Sequence, residues 1–282
     1  MKSNDKLRFI CTYVKEVENN LLSKKSSFLL FTSLFISCSV FSQDRVRVAT
    51  AANLANATKE VAQIFTQQTG IEVDVISSAS GKLTAQILNG APYHIFISAD
   101  MIYPQKVWEG RKAKSTPVEM VQGQLVFWSR EERHESEIFQ QLSSPNKKGK
   151  IAIANPKLAP YGASTKILLS KKNLWNLLTP HFVYGENIGQ VNRLIYAGAV
   201  EGAFTAASAM FAEELKHIGF WYLLKECEGI PHGVVQLSYA EKNLTAETEQ
   251  FYKFLFSTKA KEFFKKFGYS VKETTTDKSL TE

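Results

Sequence analysis

From residue 45 onward the chain alternates between two hydrophobic periods, and that alternation constrains its fold more than any other feature. Residues 45–49 alternate polar and apolar side chains. After a turn at 50–53, apolar residues recur at Leu54, Ala57, Val61, Ile64 and Phe65. The first pattern suits a strand, the second an amphipathic helix that ends at Gly70. The cycle then repeats: a strand at 72–76, a Ser-rich turn at 77–81, a helix at 82–88 and a strand at 94–98. Further strands are expected at 124–129, 150–154, 182–184, 203–206 and 234–240, with helices at 163–172, 189–197, 246–256 and 260–267. Strands that alternate with helices form mainly parallel sheets covered on both faces, so the expected class is α/β. Ligands of such folds settle at the carboxyl ends of strands, beside helix N-termini.

The bulk numbers set limits. A chain of 282 residues holds one large domain or two modest ones, at about 100–200 residues each. The net charge of +7 is partly concentrated in residues 1–43, which hold six basic and three acidic side chains. The basic residues beyond them are scattered, and a nucleic-acid partner would need a stripe or patch. Of Cys11, Cys38 and Cys227 only the last lies outside the N-terminal region, which leaves no internal disulfide framework there. Cys227 reads as a small, partly buried residue.

The N-terminus reads as a targeting segment. Lys24 and Lys25 precede an apolar run at 28–41, of signal-peptide length and short of the roughly 20 residues a membrane span needs. Ser39 and Ser42 place small residues before a cut near Gln43. A start set too far upstream accounts for the long stretch before Lys24. Two other readings stand beside this one, lipidation of Cys38 and an uncleaved anchor helix.

Four strand-to-helix loops carry groups suited to a ligand: 51–54, with Asn53 as a candidate N-cap; 77–81, with Ser78 and Ser80; 155–162, with Pro160-Tyr161-Gly162; and 186–189. Free N–H groups at a helix start, with the positive end of the helix dipole, bind an anion without a cationic side chain. Capping of the helices alone would also explain these residues. No nucleophile set accompanies them. The histidines at 94, 134, 181, 217 and 232 stand apart from one another, none has zinc-ligand spacing, and Gly162 to Lys166 lacks the order of a phosphate loop. An enzyme is not expected, and Asp100 reads as a structural residue at a strand end.

Several of these segments together resemble a known family. Ala49-Thr50-Ala51-Ala52-Asn53-Leu54, Ser78-Ala79-Ser80-Gly81-Lys82-Leu83, Gln86-Ile87-Leu88-Asn89-Gly90-Ala91-Pro92 and His94-Ile95-Phe96-Ile97-Ser98-Ala99-Asp100 are similar to the periplasmic molybdate-binding proteins of ABC importers. Ile151 to Pro156 with Ala159 to Gly162 looks like that family's second-lobe loop. The resemblance implies a two-lobed binding protein of type II-like architecture with the anion in the interlobe cleft. Lobe one would be 44–124 plus 231–282, and lobe two 125–230. It implies a monomer in the periplasm that binds molybdate or tungstate, needs no cofactor and delivers its cargo to a membrane permease. Carried over by position, Ser80 matches a hydroxyl ligand, and Tyr161 and Ile188 match backbone donors. Asn53 stands where the family usually has Ser, and Thr205 where many members have a ligand Tyr. Those two departures keep open another oxyanion or a small organic acid as cargo.

Overall fold

The computed structural model describes residues 45–144 and 149–271. The targeting segment, Cys38 and the polar tail at 273–282 lie outside the described residues. The chain runs through β1 (Val46–Ala51), a 3-10 turn (Ala52–Leu54), α1 (Ala55–Thr69), β2 (Val73–Ser78), α2 (Ser80–Leu88), β3 (Ile95–Ile97), α3 (Ile102–Glu109) and β4 (Val118–Gly123). It then enters a second sheet region with β5 (Leu125–Ser129), α4 (Ile138–Ser143), β6 (Ile151–Ala154), α5 (Pro160–Lys171), α6 (Trp175–Leu178), β7 (Phe182–Gly185), α7 (Ile188–Tyr196), β8 (Gly202–Ala206) and β9 (Phe220–Leu223). It returns to the first region through β10 (Ile230–Gln236), α8 (Thr245–Phe254) and α9 (Thr258–Lys266).

Each lobe is built on a five-stranded sheet, in the orders β2-β1-β3-β10-β4 and β7-β6-β8-β5-β9. β1 pairs in parallel with β2 and β3, and β6 with β7 and β8. β10 is antiparallel to β3 and β4, and β5 to β8 and β9. In each sheet four strands therefore point one way and one is reversed. The reversed strand is in both cases the first after the chain crosses between lobes: β5 follows β4 across Gln124, and β10 follows β9. The expected α/β two-lobed architecture is the observed one, with mixed sheets.

Burial explains the elements. α1 turns Ala57, Thr58, Val61, Ala62 and Phe65 inward and ends at Gly70, whose φ of 74° closes the last turn. The Phe65 ring meets Phe251 of α8 edge-on at 5.0 Å and Phe254 at 5.3 Å, so the C-terminal helices clamp α1. Truncating a buried Phe of this kind costs about 3–5 kcal/mol. A smaller apolar cluster, with Leu83, Ile87, Phe96 and Val107, fills the opposite face of the first sheet beneath α2 and α3. Five elements were not expected from the sequence, α3, α4, α6, β4 and β9, and β10 lies four residues earlier than the strand expected at 234–240. The five lack a clean period: α3 buries only Pro104 and Val107, α4 and α6 are six and four residues long, β4 buries consecutive residues, and β9 is a partly exposed edge.

Candidate functional site

Four helix starts open onto one cavity. β1 leads into the 52–54 turn, β2 into α2, β6 into α5 and β7 into α7, so each lobe supplies two strand ends. The cavity is lined at these points by Ala51 to Asn53, Ser78 to Ser80, Ala159 to Tyr161, and Asn187 with Ile188; Ala99 completes it. Asn53, Ser80, Tyr161 and Ile188 are thus brought together, as their loops led one to expect.

The capping pattern is unusual. The N-cap residues of the 52–54 turn, α2 and α5 are Ala51, Ala79 and Ala159, and none of these starts has a side-chain cap. Alanine cannot accept from the first amides; the Gly81 N–H of α2 is taken by Leu158 O, and no side chain caps the other first-turn N–H groups beside the cavity. Only α7 is capped, where Asn187 accepts from the Gln190 N–H at 3.1 Å. Pro160 opens α5 without an N–H, which makes Tyr161 the first amide donor of that helix. Ser80 accepts the Ala99 N–H at 3.2 Å, and its hydroxyl proton remains available.

No charged side chain lines the cavity. Its free space is about 10 Å3. A single water needs roughly 10–15 Å3, so the cleft as closed here has room for no more than about one water and excludes any large ligand. Contacts between the lobes hold it closed. The Gly81 N–H donates to Leu158 O at 3.0 Å, the Tyr103 hydroxyl to Lys157 O at 3.2 Å and the Ser208 hydroxyl to Asn53 O at 3.2 Å. Lys82 and Glu186 form an ion pair across the cleft at 2.6 Å, and Lys82 holds the Glu186 carboxyl below its ordinary range.

Asn53 does not cap a helix. Its amide nitrogen is engaged by His232 and Tyr269, and its carbonyl accepts the hydroxyls of Tyr269 and Ser208. That leaves its main-chain N–H for the cavity. The Tyr161 ring is fully buried against His232, its hydroxyl without a hydrogen-bond partner among the described residues and its pKa pushed well up by burial. A Cβ on Gly123 would come within 2.1 Å of that hydroxyl, so only glycine ends β4 here. Sequence reasoning left His232 isolated and did not find this cluster; its members are far apart in the chain and carry no shared spacing.

Thr205 is placed differently from the other predicted residues. It is fully buried in β8, does not line the cavity, and donates to Asn192 Oδ1 at 2.7 Å. Asp100 also lies off the cavity. It accepts the Tyr103 N–H at 3.1 Å and the Ser98 hydroxyl at 3.1 Å, while burial raises its carboxyl above the usual value. Cys227 is partly buried and free. Among the described residues no group of three or more His, Cys, Asp or Glu is arranged to hold a metal ion.

Residues 46–270 match the family of bacterial extracellular solute-binding proteins. The chain is 30% identical to the molybdate-binding protein ModA of Rhodobacter capsulatus, over 79% of this chain and 87% of that protein. It is 31% identical to the molybdate-binding protein ModA of Azotobacter vinelandii, over 80% and 90%. Its fold superposes on the Azotobacter vinelandii periplasmic molybdate-binding protein with a TM-score of 0.73, covering 81% of this chain and 100% of the other.

Proposed function

The chain belongs to the bacterial extracellular solute-binding protein family, and on that premise we propose that its cargo is molybdate, with tungstate as a near-equivalent. It captures its ligand without converting it, acts as a monomer in the periplasm without a cofactor, and hands the ion to the permease of an ABC importer. The observation that carries this reading is the meeting of four helix starts, two from each lobe, at a small cavity free of charged side chains. Each start contributes a partial positive charge of about half a unit and unpartnered N–H groups, which replace the water shell of a dianion. Asn53, Tyr161 and Ile188 donate main-chain N–H groups, and Ser80 donates both its N–H and its hydroxyl. A fully ionised tetrahedral oxyanion needs only donors. A protonated one must also point an O–H at an acceptor, and no carboxylate lines the cavity. Thr205 takes no direct part and holds Asn192 in place.

A thermal-shift series with molybdate, tungstate, sulfate, phosphate and a set of small carboxylic acids tests the cargo. An ion present at about 100 times its Kd stabilises the native state by about 2.7 kcal/mol. Molybdate and tungstate are expected to give that response at the lowest concentrations. A response confined to the carboxylic acids replaces this reading with that of an organic-acid carrier.

A further inference from the structure

A second space adjoins the cavity. It is a groove of about 460 Å3 that shares Ala52, Asn53 and Asn187 with the cavity. Each lobe supplies one wall. Lys59 of α1 stands on the first-lobe wall and Arg193 of α7 on the second-lobe wall. Both are exposed, and among the described residues neither has a carboxylate within ion-pair distance. The one other charged side chain lining the groove is Glu214. Neither cation lines the inner cavity.

We propose that this groove is an outer anion site, in which an oxyanion arriving from solvent is drawn between Lys59 and Arg193 before it sheds its water and passes to the uncharged cavity. The inference rests on the reading of the cavity as an oxyanion site. The donors there are partial charges whose influence fades within a turn of helix. A full cation at the edge acts to about a Debye length, roughly 8–10 Å at physiological salt. Cations so placed raise the rate of encounter. Because the ion no longer touches them once it is in the cavity, they leave its escape unchanged, as charges at the rim of an interface do. Capture is thus hastened by full charges at the rim, while retention depends on neutral donors inside.

Rapid-mixing filtration of radiolabelled molybdate tests this on the native protein, on the double variant K59Q/R193Q and on Glu214→Gln. At low ionic strength the double variant is expected to bind about tenfold more slowly. Its dissociation rate should match the native one, and the difference should vanish at about 1 M salt, where the Debye length is about 3 Å. Glu214→Gln should bind faster than the native protein, an opposite change that damage to the fold would not give. Equal association rates in all three proteins at low salt overturn the outer site, as does slower association that persists at high salt or is matched by faster escape. Native protein that fails to bind molybdate at all overturns the cargo reading and this site with it, an outcome plainly different from tight binding with unchanged association rates.

Discussion

The Asn53 side-chain nitrogen sits 2.7 Å from His232 Nε2. The other ring nitrogen, Nδ1, lies 2.7 Å from Ile230 O and must donate to it, so Nε2 carries no proton and accepts from Asn53. A cavity residue is therefore held by a neutral histidine on β10, one of the two strands that follow a crossing between lobes. Tyr269 completes the clamp: it receives a second bond from the Asn53 amide at 3.0 Å and returns one to the Asn53 carbonyl at 2.7 Å. Three segments distant in sequence fix one main-chain N–H against the cavity.

This arrangement sets a pH dependence. Burial pushes the His232 imidazole down from 6.5 to about 4. As pH falls the unfolded chain takes up the proton first, so the stability due to the neutral ring is complete above about 6.5 and is lost progressively down to about 4. The full window is worth on the order of 3 kcal/mol. Denaturant melts of the native protein and of His232→Asn, taken across that range, should show a steeper acid loss in the native protein. Asp100, whose carboxyl is raised by burial, is common to both and cancels in the difference. Parallel curves would mean that the ring is not neutral in the native state.

Gly81 controls closure. A Cβ at this position would stand 2.9 Å from the Tyr103 hydroxyl and 3.1 Å from Leu158 O, the carbonyl that Gly81 itself bonds across the cleft. The tyrosine tip can move, but the carbonyl belongs to the facing lobe. Gly81→Ala should hold the lobes slightly apart and weaken molybdate binding about tenfold, about 1.4 kcal/mol, with little change in the melting temperature of the ligand-free protein. Calorimetric titration gives the first quantity and a thermal melt the second. Undiminished affinity would show that closure tolerates the added methyl.

Much of this molecule was legible in its sequence, and what escaped did so for identifiable reasons. Period-3.6 runs located α1 and α2 because each buries one face, while period-two runs marked β1 and β2, although β1 is buried at all but Arg47 and β2 is only partly buried. The loops between them were legible as helix starts. Which residue caps each start was not, since Ala51, Ala79 and Ala159 carry no capping signal; the vacant caps become visible only in three dimensions. β4 and β9 escaped because one buries neighbours in succession and the other is a partly exposed edge. Asn53 was legible as a polar residue at a helix start. Its tie to His232 and Tyr269 was not, because the partners lie 179 and 216 residues away.

Ser80 has two duties that one substitution separates. Its oxygen accepts the buried Ala99 N–H, and its proton remains for a ligand. Ser80→Ala should lower molybdate affinity by about 1.5–3 kcal/mol, the value of a hydrogen bond to a charged group. It should also destabilise the ligand-free protein by about 1–3 kcal/mol, because the Ala99 amide is left buried and unpaired. Titration calorimetry and denaturant melts read the two losses independently. Lost stability with full affinity would assign Ser80 to the framework alone.

Thr205 gives the converse case. Its hydroxyl donates to Asn192 Oδ1 from a fully buried position in β8, outside the residues that line the cavity. A hydroxyl that is already committed and screened from the cleft has no bond to give an ion. Thr205→Val keeps the side chain's shape, removes the donor and leaves the Asn192 oxygen to find water or go without. Asn192 is half-buried and lines the open groove, so the protein should lose about 0.5–1.5 kcal/mol of stability, the net value of an ordinary hydrogen bond. Molybdate affinity should stay within about twofold, less than 0.5 kcal/mol. A tenfold fall in affinity, measured by titration at a temperature where both proteins are fully folded, would place this hydroxyl at the ion after all and require the second lobe to shift when the ligand binds.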